Sequence, residues 1–154
     1  MSKKDSQRIE IIARGVCVQD RRLLVCHTKG ASNTYLPGGH VEFGESAVDA
    51  LARELDEELG ITCRVGAFLG AVEHTFAQHG DVHCEINLVF AFDLPGGHAR
   101  EAPPSREDYI EFQWENIDSL AASTLEPSVL RNLISSKRGG GEGSWWGSTF
   151  SDGE

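Results

Sequence analysis

The sequence predicts a single α/β domain, and three features support this prediction. Strand-like apolar runs lie in both halves of the chain, and residues 82–92 change from an alternating to a continuously apolar pattern, as expected of an interior strand. A helical segment with recognisable ends, Ala47–Leu59, interrupts these runs. A second amphipathic segment, residues 126–136, follows them. The length of 154 residues is sufficient for one domain with a buried core.

The N-terminal part of the chain is predicted to form a β-hairpin. Residues 9–18 form the first strand, residues 19–22 the turn and residues 23–28 the partner strand. Residues 29–33 then form a loop, and a short extended segment at Tyr35 leads into the sequence Leu-Pro-Gly-Gly. The glycines of this sequence allow the backbone to come close to whatever the following helix binds.

Both ends of the helix Ala47–Leu59 are predicted by single residues. Ser46 is a favourable N-cap, and Asp49 three residues later completes a capping-box pattern. Gly60 favours a stop because glycine readily adopts the left-handed conformation that ends many helices. The side chains predicted to form the apolar face are Val48, Leu51, Ala52, Leu55 and Leu59, whereas Ala47 and Ala50 are predicted to lie on the opposite, acidic side.

The rest of the chain alternates predicted strands and loops. The strands are residues 62–73, 82–92 and 109–114. Residues 74–80 form a loop or hairpin turn, and residues 94–107 form a long loop. Residues 116–121 form a turn or short helix, and the helix at residues 126–136 has Thr124 as its predicted cap. The tail, residues 137–154, is flexible by composition, although Trp145 and Trp146 favour anchoring on the same domain or on a neighbouring subunit.

Composition and charge exclude several classes of protein. A formal net charge of −10 argues against a nucleic-acid-binding surface or an anionic-membrane surface. No apolar run approaches the length of a membrane span, and the N-terminal residues lack a hydrophobic signal core, so we expect a cytoplasmic protein. The four cysteines form no CxxC pair and are predicted to be buried free thiols.

Three acidic residues mark the helix as the candidate functional element. Glu54, Glu57 and Glu58 are spaced i, i+3 and i+4, so they share one helix face and repel one another. Carboxylate oxygens without cysteine or histidine ligands suit Mg²⁺ or Mn²⁺, and such ions commonly take substrate phosphates as further ligands. A solvated acidic helix face is the alternative interpretation of the three glutamates alone.

The surrounding spacing resembles the Nudix box. Gly39 is followed after five residues by Glu45 and after seven more by Arg53-Glu54-Leu55-Asp56-Glu57-Glu58-Leu59-Gly60-Ile61, so residues 39–61 match the box at every defined position. The resemblance implies a Nudix-type α/β/α sandwich with a mixed central sheet, the box helix on one side and the C-terminal helix on the other. It also places the catalytic domain at residues 1–136 and leaves residues 137–154 as a tail.

The resemblance further implies roles for individual residues. Glu54, Glu57 and Glu58 would be the metal ligands together with the Gly38 carbonyl, and Arg53 and Glu45 would form the orienting pair. The general base would be Glu54, another box glutamate or an acid outside the box. One further acid is expected to reach the metal ions, and the candidates outside the box are Glu85, Glu107, Asp108 and Glu111.

A hydrolase of the Nudix type would use Mg²⁺ or Mn²⁺ to split the pyrophosphate linkage of a nucleoside diphosphate derivative, with a nucleoside triphosphate as the first expectation. A proline and a tyrosine that mark two family subgroups some fifteen residues past the box are replaced here by residues 75–79. Phe76, His74 and Tyr35 could stack on a base, and the residues that could face the substrate are Arg14, His27 and Lys29.

Two other functions remain open at this point. One is a non-catalytic nucleotide sensor. The loss of a box glutamate would favour a sensor, but all the box glutamates are present. The other is removal of pyrophosphate from RNA 5′ ends, which the acidic balance disfavours. A homodimer is possible, and the sequence identifies neither the base nor the leaving group.

Overall fold

Two β-sheets form the framework of the protein. The structure is a computed structural model and describes residues 7–96, 101–137 and 143–151. The strands are β1 (Ile9–Val16), β2 (Val18–Gln19), β3 (Arg22–Thr28), β4 (Gly38–His40), β5 (Arg64–Gln78), β6 (Asp81–Asp93), β7 (Ile110–Asn116) and β8 (Trp145–Ser148). The helices are α1 (Ala47–Leu59), α2 (Val129–Lys137) and a 3-10 helix (Ile117–Ala122).

The larger sheet is mixed, as predicted. Its strand order is β4-β1-β6-β5-β8, in which β1 runs parallel to β6 and β8 runs parallel to β5, while the other pairs are antiparallel. One hydrophobic cluster, with Leu51 and Leu55 of α1, packs with Phe90 and Phe92 of β6. A second cluster joins Leu130 of α2 to the sheet. The predicted α/β fold with a mixed central sheet is confirmed.

Helix α1 has the predicted ends. The Ser46 hydroxyl accepts a hydrogen bond of 3.0 Å from the Asp49 amide, and Gly60 ends the helix at φ +68°. The buried stripe differs slightly from the prediction, because Val48 is 43% exposed whereas Ala50 is fully buried. The stripe is therefore turned toward the acidic side, which brings the Glu58 side chain into the interior.

The predicted N-terminal hairpin is confirmed next to its turn, where Val18 pairs with Leu23, and is wrong for the rest of the first strand. The chain leaves the larger sheet at Cys17, and β3 pairs with the two residues of β2 and, along its whole length, with β7. These three strands form a separate antiparallel sheet. The sequence gives no signal for this arrangement because the main partner of β3 lies far along the chain.

The loop or hairpin turn predicted at residues 74–80 is a hairpin turn, but it is much shorter than predicted. Strand β5 continues to Gln78, and only His79 and Gly80 form the turn, at φ +53° and +81°. Two consecutive residues with positive φ are typical of the tight turns that preserve strand twist. Residues 74–78 therefore lie on the sheet, paired with the start of β6.

The described part of the tail is ordered on the larger sheet. Strand β8 lies beside residues 70–73 of β5, and the missing side chain of Gly70 makes room for Trp145. Trp145 is buried in the second hydrophobic cluster, whereas Trp146 is 62% exposed. The anchoring predicted for the tail is thus seen for the first tryptophan and not for the second.

The remaining predictions agree with the structure in outline. Helix α2 begins at Val129, after the predicted start at residue 126, and the 3-10 helix is capped by Asn116. The four cysteines are free, and three are buried while Cys84 is partly exposed. Within the described residues, no helix combines the length and apolar character needed to cross a bilayer.

Candidate active site

Among the three glutamates predicted to bind metal, Glu58 is the buried one. Its side chain is only 5% exposed, and one carboxylate oxygen, Oε2, has no hydrogen-bond partner. Burial raises the pKa of Glu58 to about 8, and the charges of Glu54 and Glu107 act in the same direction. Arg14 and the Gly38 amide oppose this shift. An unpartnered buried carboxylate oxygen is costly, so it indicates a position where a cation would stabilise the side chain.

Arg53 organises the carboxylates around it. Its Nε and Nη2 donate to the two oxygens of Glu45 at 2.8 and 3.0 Å, a bidentate pair. Nη2 also donates to the His40 carbonyl at 3.1 Å. The hydrogen bond from Arg53 lowers the pKa of Glu45, with help from the Glu42 amide. The predicted orienting pair is therefore in contact, and it ties the loop before α1 to the helix.

Glu54 and Glu57 lie on the other side of the same guanidinium. Arg53 Nη1 is 2.9 Å from Glu54 Oε1 and 3.4 Å from Glu57 Oε1. Glu54 also lies against Gly39, where an added Cβ would be 2.5 Å from the Glu54 carboxyl carbon. We refer to Glu45, Arg53, Glu54, Glu57 and Glu58 as the glutamate site.

The glutamate site suits a hard cation in its chemistry. All of its acidic donors are oxygens, and the unpartnered Oε2 of Glu58 supplies a vacant acceptor in the interior. Across residues 7–96, 101–137 and 143–151, however, no three His, Cys, Asp or Glu side chains are already arranged to hold an ion. Glu54 and Glu57 instead share Arg53, so ion binding would require these carboxylates to turn away from the guanidinium.

Three of the four acids predicted outside the box, Glu107, Asp108 and Glu111, line one cavity, and Glu85 lines another. Glu107 is the one whose charge raises the pKa of Glu58, and the neighbouring Arg106 amide donates to the Glu58 carbonyl at 2.8 Å. Glu111 pairs with His27 at 3.4 Å. Lys29 lines the first of these cavities as well. Glu107, whose charge acts on Glu58, is therefore the first candidate for the predicted additional acid.

A cavity of about 360 Å³ opens beside β1, β5 and β6. We call it the Arg14 cavity, and its lining residues are Arg14, Asn33, Tyr35, His74, Phe76, Ala77, Gln78, Glu85, Glu126 and Pro127. Its volume falls in the range of small-molecule sites. Four residues predicted to face a substrate or stack on a base, Arg14, Tyr35, His74 and Phe76, meet here, whereas His27 and Lys29 do not line it.

Aromatic rings form much of this cavity. The Arg14 guanidinium lies over the Tyr35 ring at 5.4 Å, and the rings of His74 and Phe76 stack at 5.0 Å. Phe76 stacks in turn on His83 at 4.9 Å. Stacked rings beside polar groups are suited to a flat heteroaromatic ligand.

Arg14 connects the cavity to the glutamate site. Its side chain lines the cavity, donates to the Leu36 carbonyl at 2.9 Å and lowers the pKa of Glu58 through its charge. Arg14 therefore belongs to the cavity wall and also acts on the charge of Glu58.

Sequence reasoning missed several lining residues. Asn33, Gln78, Glu126 and Pro127 reach the cavity from a loop, a strand end and the segment before α2. Their types and local spacing carry no signal for a site, because only the tertiary arrangement brings them together. An alternating pattern in residues 74–78 could have predicted that β5 continues beyond residue 73, and this is the one signal that the sequence could have supplied.

Comparison with known proteins finds one matching domain family and several relatives of this chain. The profile of the NUDIX domain matches residues 10–135. The chain is 31% identical over 113 residues to an ADP-ribose pyrophosphatase of Methanocaldococcus jannaschii, covering 70% of this chain and 63% of that protein. It is 29% identical over 127 residues to an NAD-capped RNA hydrolase, NudC, of Stutzerimonas stutzeri, covering 82% of this chain and 41% of that protein.

Two further similarities bear on the interpretation. An isopentenyl-diphosphate Delta-isomerase of Rhodobacter capsulatus is 33% identical over 113 residues, covering 71% of this chain and 62% of that protein. The chain thus spans less than two thirds of these curated relatives. The crystal structure of a MutT NUDIX hydrolase from Burkholderia pseudomallei matches with a TM-score of 0.61 and 28% identity, covering 73% of this chain and 86% of that chain.

Proposed function

The chain belongs to the Nudix family, and on that premise we propose that it hydrolyses the pyrophosphate linkage of a nucleoside diphosphate derivative with the help of Mg²⁺ or Mn²⁺. The observation that carries this proposal is the buried, unpartnered Oε2 of Glu58, next to an arginine that also lines a nucleoside-sized cavity. The relatives named as a pyrophosphatase and a capped-RNA hydrolase support a diphosphate substrate.

Glu54, Glu57 and Glu58, with the Gly38 carbonyl, are the proposed metal ligands. The bound ion would neutralise phosphate charge and lower the pKa of the attacking water. The chain's own groups do the rest: Arg53 fixes the position of Glu45 through its hydrogen bonds, and Glu54 or Glu107 accepts the proton of that water. Water attacks phosphorus, the bridging P–O bond breaks, and Arg14 holds the phosphate of the nucleoside portion.

The Arg14 cavity favours a mononucleotide portion. A volume of about 360 Å³ lies at the small end of ligand sites, so one nucleoside fills it. A nucleoside triphosphate is therefore the first substrate to test, with ADP-ribose as the second because of the named relative.

A different reaction on a diphosphate is the competing function. The relative named as an isopentenyl-diphosphate isomerase is 33% identical to this chain. Against this, the cavity wall contains three charged residues, Arg14, Glu85 and Glu126, which suit a polar ring better than a hydrocarbon chain.

The test is phosphate and pyrophosphate release from a panel of nucleoside triphosphates, ADP-ribose and 5′-triphosphorylated RNA, with and without Mg²⁺. Isomerisation of isopentenyl diphosphate is measured in parallel. Glu57→Gln and Glu58→Gln are expected to abolish nucleotide turnover, whereas Asp56→Asn, which removes an exposed carboxylate from the same helix, should retain it. Unchanged turnover in the two glutamate variants would refute the assignment, and binding without turnover in the wild type would favour a sensor.

A further inference from the structure

The C-terminal segment reaches the Arg14 cavity through one threonine. Thr149, which follows β8, places its hydroxyl oxygen 2.8 Å from His74 Nδ1 and 2.9 Å from the Thr75 amide. Its own amide donates to the Glu73 carbonyl at 3.1 Å. One tail residue thus contacts three consecutive residues of β5, and the central one lines the cavity.

The hydrogen bonds of Thr149 favour one neutral form of the His74 ring. The Thr149 oxygen accepts from the Thr75 amide, which leaves it one hydrogen to donate and one lone pair that could instead accept from Nδ1–H. Within the described residues the acceptor in reach of that hydrogen is His74 Nδ1. Burial lowers the pKa of His74 and so favours the neutral ring. A neutral ring that accepts at Nδ1 carries its proton on Nε2.

We propose that Thr149 is a positioning residue that holds His74 as an Nε2–H donor in the Arg14 cavity, and through it orients the His74–Phe76–His83 ring stack toward the base of a nucleoside. This inference rests on the proposed function for the identity of the ligand. In the described hydrogen bonds the His74 ring uses only Nδ1, which leaves Nε2–H for an acceptor on the ligand.

The docking of the tail supports this role independently of His74. An added Cβ at Gly70 would lie 2.3 Å from the Trp145 Cβ, and an added Cβ at Gly147 would lie 2.9 Å from a Val129 methyl. The segment is therefore closely fitted between β5 and α2. The side chain of Ser148, which donates to Glu73 at 2.8 Å, points to the other face of the sheet and offers a matched control.

The experiment compares wild type, Thr149→Val, Thr149→Ser and Ser148→Ala. Nitrogen chemical shifts of the His74 ring report its tautomer, and titration with AMP, GMP, CMP and UMP, followed at His74 and Phe76, reports occupancy of the cavity. Wild type and Thr149→Ser should show the Nε2–H tautomer. Thr149→Val should mix the tautomers and weaken mononucleotide binding about fivefold, the effect of one neutral hydrogen bond. Ser148→Ala should match wild type.

Each contrary result overturns the inference. A proton on Nδ1 in the wild type would do so without any variant, and this measurement stands even if Thr149→Val fails to fold. An unchanged tautomer in a folded Thr149→Val, equal weakening by Ser148→Ala, or no response of His74 to all four mononucleotides would do so as well. Mononucleotides contain no pyrophosphate linkage, so a lack of turnover elsewhere would refute the proposed function alone.

Discussion

The glutamate site and the Arg14 cavity are built in opposite ways. All five residues of the glutamate site lie within the 23 residues of the box, on one helix and the loop before it. The cavity draws on β1, the segment around Tyr35, β5, β6 and the segment before α2. A short, contiguous length of chain thus holds the proposed chemistry, whereas the whole fold shapes the cavity proposed for the ligand. Four experiments test this division.

The largest effect is expected for Glu58→Gln. Removing a proposed metal ligand should lower kcat at least about 100-fold, since loss of outer-shell partners of a metal already costs 10- to 100-fold. Binding of a mononucleotide to the Arg14 cavity should remain within about twofold, because the change leaves the cavity walls intact. Steady-state kinetics with Mg²⁺ measure kcat, and titration with a mononucleotide without Mg²⁺ measures binding to the Arg14 cavity. A rise in KM with unchanged kcat would contradict the division.

Gly39→Ala should have the next largest effect. The new methyl group would overlap the Glu54 carboxyl group, which must then move from its present position. We expect kcat to fall about tenfold or more, because small displacements of positioned groups are costly in catalysis. Gly66→Ala is the control, since its nearest neighbouring atom would be 3.5 Å from the new Cβ. Equal kinetics for the two variants would show that the position of Glu54 is unimportant.

Gly70→Ala tests the cavity side of the comparison. Its Cβ would clash with Trp145, so β8 must shift, with a stability loss of about 1–3 kcal/mol. Thermal unfolding measures this loss, and nucleotide kinetics should show a several-fold rise in KM with kcat little changed. A selective fall in kcat would instead couple the tail to the glutamate site.

The smallest effect is expected in the pH dependence of the stability of the metal-free protein. Glu58 has a pKa near 8 in the folded state against an ordinary value of 4.5, so the folded state holds its proton more strongly than the unfolded state. Stability is therefore lost as pH rises from 4.5 to 8. With a chelator present, Glu58→Gln should unfold a few degrees above wild type at pH 8.5 and at the same temperature below pH 4.5. Glu57→Gln, at a half-exposed position, should follow the wild-type curve. A constant difference at every pH would contradict the assignment.

The sequence predictions succeeded where contacts are local and failed where they join distant parts of the chain. Ser46 and Gly60 define α1 through bonds within a few residues, so both helix ends were predictable, as was the contact between Arg53 and Glu45. The pairing of β3 with β7 and the extension of β5 to Gln78 depend on distant partners. Local pattern therefore places residues 74–78 in a loop or hairpin turn, although they belong to the strand.

The cavity was only partly predictable for the same reason. Arg14, Tyr35, His74 and Phe76 were candidates on side-chain type alone, whereas Glu126 had no feature beyond its place near a helix start. Thr149 lies in a segment whose glycine and serine content is typical of a flexible tail. Its contact with His74 joins residues 75 positions apart, which local pattern does not reveal.

Strand β8 has a consequence for the association of separate molecules. Unpaired backbone N–H and C=O groups along an outermost strand can recruit a strand from another copy and begin aggregation. In this protein β8 covers residues 70–73 of β5 with the molecule's own backbone. A chain shortened before residue 143 would expose that stretch beside the apolar surface vacated by Trp145, so truncation should promote self-association in concentrated solution.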